Sequence, residues 1–279
     1  MNKKENDGPS SDLPGDAPSG RSDGTGLCCA CPASGTVDTI GQGTYFTAPY
    51  FAAYTDLRNK CDIAMTRTTT TGRVTFTKKC KLAYDNGASA SAHATTVTNR
   101  IAGAMSNWTA GAARWRVEVK QPGCGTQKLS IHFASSIVTS GEDILITVDN
   151  TPDASLLSFV DSGTAMTYYL ADPDTTWTVT HELGHSFGLP DLYTFDRTAA
   201  TPAPICTFIG SHGANFEQTL GASAIPPDPA GRHAFDWPSV MGQANDTTYQ
   251  KYLFYWVGIE TKALLADNGV SADVKIVPA

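Results

Sequence analysis

The chain has 279 residues, 41% apolar and 17% charged, with a formal net charge of −7. This length suits one large domain with a short tail, and no apolar run approaches the roughly 20 residues of a membrane span. Nucleic-acid-binding proteins concentrate Lys and Arg, which this acidic chain does not. We therefore expect a globular monomer that binds neither nucleic acid nor membrane.

Residues 1–26 are rich in Gly, Pro, Ser and Asp and contain little that could be buried, which predicts a flexible leader. Cys28, Cys29 and Cys31 follow, so we divide the chain into a leader with a cysteine cluster, residues 1–40, and one domain, residues 41–279. The start lacks the apolar stretch of a secretory signal. Seven cysteines are nevertheless many for a reduced cytosolic protein. Export by a dedicated route would reconcile the two; buried thiols in a cytoplasmic protein are the alternative.

The hydrophobic patterns after residue 41 predict an α+β domain in which a sheet packs on a long helix. Alternating residues predict strands, and apolar residues at helical spacing predict a backing helix and a C-terminal helix. In chain order these are a strand at 73–77, a helix at 92–108, strands at 114–119, 129–133, 144–148 and 166–170, and a helix at 249–259. Trp177 is expected to pack the helix that follows the last strand onto the sheet.

The chemistry is predicted to lie in residues 181–185, which read His-Glu-Leu-Gly-His. On a helix, His181 and His185 stand at positions i and i+4, so both imidazoles face the same side and can converge on one ion. Glu182 is rotated by about 100° from His181, so it flanks the ion and can act as a general base on the attacking water. The spacing therefore predicts a zinc site with His181 and His185 as ligands and Glu182 as the catalytic residue.

The helix is predicted to end just after His185. Gly188 can adopt a left-handed conformation without a steric penalty, and Pro190 cannot continue a helix. The resulting turn could return Asp191 to the ion as a third ligand, because zinc accepts a carboxylate oxygen. His212 and His233 are alternative third ligands.

Residues 181–191 resemble the extended motif of the metzincin zinc peptidases, His-Glu-x-x-His-x-x-Gly-x-x-His or Asp. The variant that ends in Asp, here Asp191, is similar to snapalysin-like enzymes, and Gly-Leu-Pro-Asp-Leu-Tyr at 188–193 is similar to the immune inhibitor A type. The resemblance implies that Met241, in Ser-Val-Met-Gly, forms the methionine turn beneath the metal. It also implies a mixed sheet with a long backing helix, an active-site helix, a C-terminal helix, and an edge strand at 166–170 that pairs with an extended substrate.

Several other residues are candidates for narrower roles. Tyr193 and Tyr249 are candidates to stabilise the oxyanion of a tetrahedral intermediate. The disulfide pairs considered are Cys61 with Cys80 and Cys124 with Cys206. A cysteine of the leader cluster could also occupy the open position of the zinc in a latent enzyme.

Together these features predict a zinc-dependent endopeptidase that acts on a polypeptide, with Zn²⁺ as its cofactor. The leader, the cysteines and the missing signal suggest an exported effector or toxin, for which a cognate inhibitor or immunity protein would be a partner. Two alternatives remain: a cell-wall peptide hydrolase with the same chemistry, and a non-catalytic binding module whose zinc only stabilises the fold.

Overall fold

A computed structural model describes residue 31 and residues 38–46, 60–161, 163–173, 175–189, 239–242 and 247–279. This part of the chain forms nine strands and three α-helices. The strands are β1 (Asp38–Phe46), β2 (Lys60–Arg67), β3 (Thr71–Asp85), β4 (Trp115–Gln121), β5 (Gly125–Ile137), β6 (Ile144–Asp149), β7 (Phe159–Val160), β8 (Ala165–Tyr169) and β9 (Asp273–Pro278). The helices are α1 (Ala90–Ala112), α2 (Thr175–Ser186) and α3 (Tyr255–Asp267), the last preceded by a 3-10 turn at Lys251–Phe254.

All nine strands belong to one mixed sheet in the order β7-β8-β6-β3-β5-β4-β9, with the β1–β2 hairpin joined to β3. Strand β3 is parallel to β5 and β6, and β6 is parallel to β8. The pairs β1–β2, β2–β3, β4–β5, β4–β9 and β7–β8 are antiparallel. The fold is therefore α+β with a mixed sheet, as the sequence predicts.

One face of the sheet carries the core. Alternate residues of β3, from Val74 to Cys80, are fully buried, while their neighbours are partly exposed. Phe76 of β3 stands opposite Phe133 of β5. The rings of Trp108 from α1 and Trp256 from α3 both contact Phe133, at centroid distances of 5.9 Å each. The helices thus lie on the same face of the sheet.

The predicted strands and helices after residue 60 are confirmed, with shifted boundaries. The helix predicted at 249–259 instead starts at Tyr255 and runs to Asp267, because residues 251–254 form the 3-10 turn. Strands β1, β2, β7 and β9 were not predicted. The expected edge strand at 166–170 is wrong: β8 lies between β6 and β7, and the short strand β7 forms that edge.

The disulfide expectations are also wrong for the described cysteines. Cys124, in the β4–β5 turn, is bonded to Cys31 and not to Cys206. Cys61 and Cys80 are free, buried thiols, and burial raises the pKa of each to about 12. Residues 1–30 lie outside the described part, as does Cys206. No described helix is long and apolar enough to cross a bilayer.

Candidate metal centre

Helix α2 brings the three residues of the predicted motif together. His181, Glu182 and His185 are all nearly buried, and each offers one ligand atom within 4.8 Å of the others. The two imidazole rings lie 4.8 Å apart and almost perpendicular to each other, as two side chains one helical turn apart can. The placement predicted from the i, i+4 spacing is confirmed.

Backbone carbonyls fix the orientation of both histidines. The Nδ1 atom of His181 lies 2.8 Å from the carbonyl oxygen of Val240, and that of His185 lies 2.7 Å from the carbonyl oxygen of Leu189. A carbonyl oxygen can only accept a hydrogen bond, so each Nδ1 must carry the proton and donate. In a neutral ring with this hydrogen bond, Nε2 is the unprotonated nitrogen, and metal-ligating histidines are usually held in this way.

Glu182 is held by the edge of the sheet. Its Oε2 accepts a hydrogen bond of 2.7 Å from the backbone N–H of Val160 in β7. Glu182 as a whole is only 8% exposed. This contact fixes one carboxylate oxygen beside the two imidazoles, in a position suited to exchange protons with a reacting group.

The turn after α2 ends the helix and provides the carbonyl that is hydrogen-bonded to His185. Gly188 has a φ of +84°, the left-handed conformation predicted from the sequence. The N–H of Gly188 donates to the carbonyl of His185 at 2.8 Å, and the N–H of Leu189 donates to that of Gly184 at 3.2 Å. This turn aims the carbonyl of Leu189 back at the ring of His185.

A second turn lies beneath α2. The N–H of Gly242 donates to the carbonyl of Ser239 at 2.8 Å, and the enclosed Met241 is fully buried. Its Sδ packs so closely on Gly184 that a Cβ at position 184 would collide with it. Met241 therefore supports the helix between its two histidines, and the preceding carbonyl of Val240 orients His181.

Helix α1 fixes the first half of α2. The indole Nε1 of Trp108 donates to the carbonyl of Thr180 at 2.9 Å, and Asn107 Nδ2 donates to Thr180 Oγ1 at 3.0 Å. The ring of Trp177 lies 4.8 Å from that of His181, so Trp177 packs against this histidine. These contacts leave His181 with little rotational freedom.

The third-ligand prediction falls outside the described residues, because Asp191, His212 and His233 are not among them; nor is Tyr193. Tyr249 packs its ring against Gly111 and Trp108 of α1, and burial raises the pKa of its phenol. That position gives Tyr249 a packing role. Cys31 forms a disulfide with Cys124, so its sulfur cannot bind a zinc ion as a thiolate in a latent enzyme.

The partners that sequence reasoning missed are mostly backbone groups: the carbonyls of Val240 and Leu189 and the N–H of Val160. Every residue carries such groups, so the residue type gives no signal for them. Trp108 is the exception, since a tryptophan on the buried stripe of a predicted helix needs an acceptor for its N–H.

No protein-family model matches the sequence, and no curated protein matches it significantly. The chemistry of the described side chains therefore carries the functional interpretation.

Proposed function

We propose that the protein is a zinc-dependent endopeptidase with Glu182 as its general base. One observation carries the proposal: two buried histidines lie beside the Glu182 carboxylate, and the Nδ1 atom of each is hydrogen-bonded to a backbone carbonyl, as in metal-ligating histidines. A surface helix with two solvated histidines would not need both rings fixed in the same tautomer. The close approach of Met241 to Gly184 further supports membership of the metzincin clan.

The donor set fits zinc. Neutral imidazole nitrogens and carboxylate oxygens are its common ligands, and catalytic sites combine three protein ligands with an open position. His181 and His185 would supply two ligands. Asp191 remains the proposed third ligand, because in the sequence it follows by two residues Leu189, whose carbonyl contacts His185.

When bound, zinc would polarise the scissile carbonyl and acidify the attacking water. Glu182 would take the proton from that water and deliver it to the leaving amine. Its hydrogen bond from Val160 holds the carboxylate in one orientation throughout. Burial of the three side chains strengthens the electrostatic interactions on which this proton transfer depends.

A polypeptide substrate would bind along β7. Among the described strands β7 pairs only with β8, and its Val160 N–H donates to Glu182, so a peptide that lies along the outer side of β7 would pass beside the general base without pairing with this N–H. Phe159 is 44% exposed and Leu157 is 58% exposed, which supports contacts with apolar substrate side chains. The proposed substrate edge therefore moves from residues 166–170 to β7.

The Cys31–Cys124 disulfide supports the proposal that the protein resides in an oxidising compartment, where such bonds persist. An exported effector or toxin, controlled by a cognate inhibitor, is the setting that we propose for the activity.

The decisive test compares the wild type with Glu182→Gln for zinc content and for cleavage of an unfolded protein. The amide oxygen of Gln can still accept from Val160, but the side chain cannot take a proton. We expect about one zinc per chain in both proteins and a fall in kcat of at least about 100-fold in the variant. Glu142→Gln, on a partly exposed carboxylate of a surface ion pair with Lys81, is the matched control and should keep full activity.

Zinc binding without cleavage by the wild type would overturn the endopeptidase assignment. It would favour a cell-wall peptide substrate, which peptidoglycan fragments would reveal, or a binding module. Failure of the wild type to bind zinc would overturn the proposal entirely.

A further inference from the structure

Lys78 is a fully buried lysine in the middle of β3. It lies on the same face as Phe76 and Cys80, which is the face covered by the helices. A lysine is almost never completely buried unless its charge is paired or hydrogen-bonded. The sequence offers no reason for a lysine here, because the strand pattern calls for an apolar residue.

The ammonium group of Lys78 contacts the end of the metal-binding helix. Its Nζ donates a hydrogen bond of 2.7 Å to the carbonyl of Ser186, the last residue of α2, and lies 4.9 Å from the centre of the Phe187 ring. The last carbonyls of a helix lack partners within the helix and form the negative end of its dipole. The buried ammonium group of Lys78 gives the Ser186 carbonyl a hydrogen-bond donor and places a positive charge at the negative end of the helix dipole.

Ser186 belongs to the turn that orients His185. It follows His185 directly, and hydrogen bonds from Phe187, Gly188 and Leu189 to the carbonyls of Gly184 and His185 close the turn around it. The turn ends at the Leu189 carbonyl that accepts the Nδ1 proton of His185. A shift of the Ser186 carbonyl would therefore move the group that sets the orientation of the ring.

Two buried carboxylates share the environment of this lysine. Asp143 is 2% exposed and Glu260 is fully buried; the pKa of nearby Cys61 is raised chiefly by burial, is lowered by Lys78, and is raised further by Glu260 and Asp143. A buried set of charges contributes little net stability compared with apolar residues of the same size, because each charge must lose its hydration. Positioning explains the presence of these charges better than stability does.

We propose that Lys78 is a positioning residue of the metal centre, which fixes the carboxyl end of α2 and thereby the ring of His185. This inference rests on the proposed function, since it requires His185 to bind metal.

The test replaces Lys78 with Met, which has a similar length and no donor. The readouts are the dissociation constant for Zn²⁺, measured by competition with a chromophoric chelator, and the visible spectrum of the Co²⁺-loaded protein. We expect Lys78→Met to bind Zn²⁺ about tenfold more weakly, as loss of a group that orients a ligand typically does, and to show an altered Co²⁺ spectrum.

Arg67→Met is the matched control. Arg67 is also a buried cation, at 2% exposure, but its Nη1 donates to Gln121 at 2.9 Å and it ends strand β2 opposite Gly72. It should lower the melting temperature yet leave metal affinity and spectrum unchanged. A purely structural role for Lys78 would make the two variants alike.

A folded Lys78→Met protein with wild-type affinity and spectrum would overturn the inference. If Lys78→Met does not fold, the double variant Lys78→Met, Glu260→Gln removes a neighbouring buried charge as well, and the same comparison applies to it. A wild type that binds no zinc would overturn the proposed function and this inference together, whereas equal affinity in wild type and variant would overturn this inference alone.

Discussion

At the scale of single residues, the metal centre depends on which nitrogen of each imidazole carries the proton. The Nδ1–H groups of His181 and His185 each donate a hydrogen bond to a backbone carbonyl, so two different turns favour the same tautomer. The spacing in the sequence predicts that the two side chains meet. It cannot predict the tautomer, because the accepting carbonyls come from Leu189 and from Val240, 59 residues further along the chain.

Gly184 gives a sharp prediction at this scale. Alanine in a helix interior normally gains about 1 kcal/mol over glycine. Here a Cβ would collide with the sulfur of buried Met241 and would lie 3.0 Å from Cζ2 of Trp108. Overpacking of this kind costs about 1–3 kcal/mol. We therefore expect Gly184→Ala to lower the free energy of unfolding, measured by urea denaturation.

The control is Gly103→Ala in α1, where an added Cβ would meet nothing within 4 Å. This variant should be neutral or more stable by up to about 1 kcal/mol. If Gly184→Ala and Gly103→Ala stabilise the protein equally, Met241 does not pack closely enough on Gly184 to exclude a Cβ.

At the scale of elements, the sequence predicts the strands and helices whose hydrophobic periodicity is strong and misses those whose periodicity is weak. Buried strands β3, β5 and β6 and helix α1 have clear alternation or helical spacing, so their existence follows from the sequence. Strand β7 has two residues, too few for any period, yet it forms the sheet edge beside Glu182. The resemblance to the metzincins implied an edge strand at residues 166–170, and no sequence pattern indicated that β7 lies outside it.

The contact between β7 and α2 can be tested with Val160→Pro. Proline removes the N–H that donates to Glu182, and an edge strand tolerates it where that N–H is not used in the ladder. We expect kcat of the proposed peptidase to fall about tenfold, well short of the roughly 100- to 10,000-fold loss of a general base. Steady-state kinetics on a fluorogenic peptide would measure this.

Val160→Ala keeps the N–H and trims only the side chain, so it should retain nearly the full kcat. If Val160→Pro is as active as Val160→Ala, the hydrogen bond to Glu182 does not contribute to catalysis.

At the scale of the whole molecule, the Cys31–Cys124 disulfide ties the chain ahead of β1 to the β4–β5 turn across 93 residues of sequence. No spacing rule could have identified this pair among seven cysteines, because disulfide connectivity follows from the fold. Closing so long a loop restricts the unfolded chain and contributes about 2–4 kcal/mol.

Replacing Cys124 with Ser should therefore lower the free energy of unfolding by about 2–4 kcal/mol. Calorimetry of the wild type with and without reductant provides the control: reductant should reproduce the effect in the wild type and have no further effect on Cys124→Ser. A wild type whose melting temperature ignores reductant would contradict the prediction.

The same bond also decides how the protein would respond to mechanical tension. While it is intact, a pulling force applied on either side passes directly from Cys31 to Cys124 and bypasses strands β1 to β4 and helix α1. About 310 Å of contour length, from 93 residues at roughly 3.3 Å each, is withheld from extension. A chain drawn through a narrow channel in its oxidised state would present this region as a closed loop, and only reduction would let it pass as a single strand.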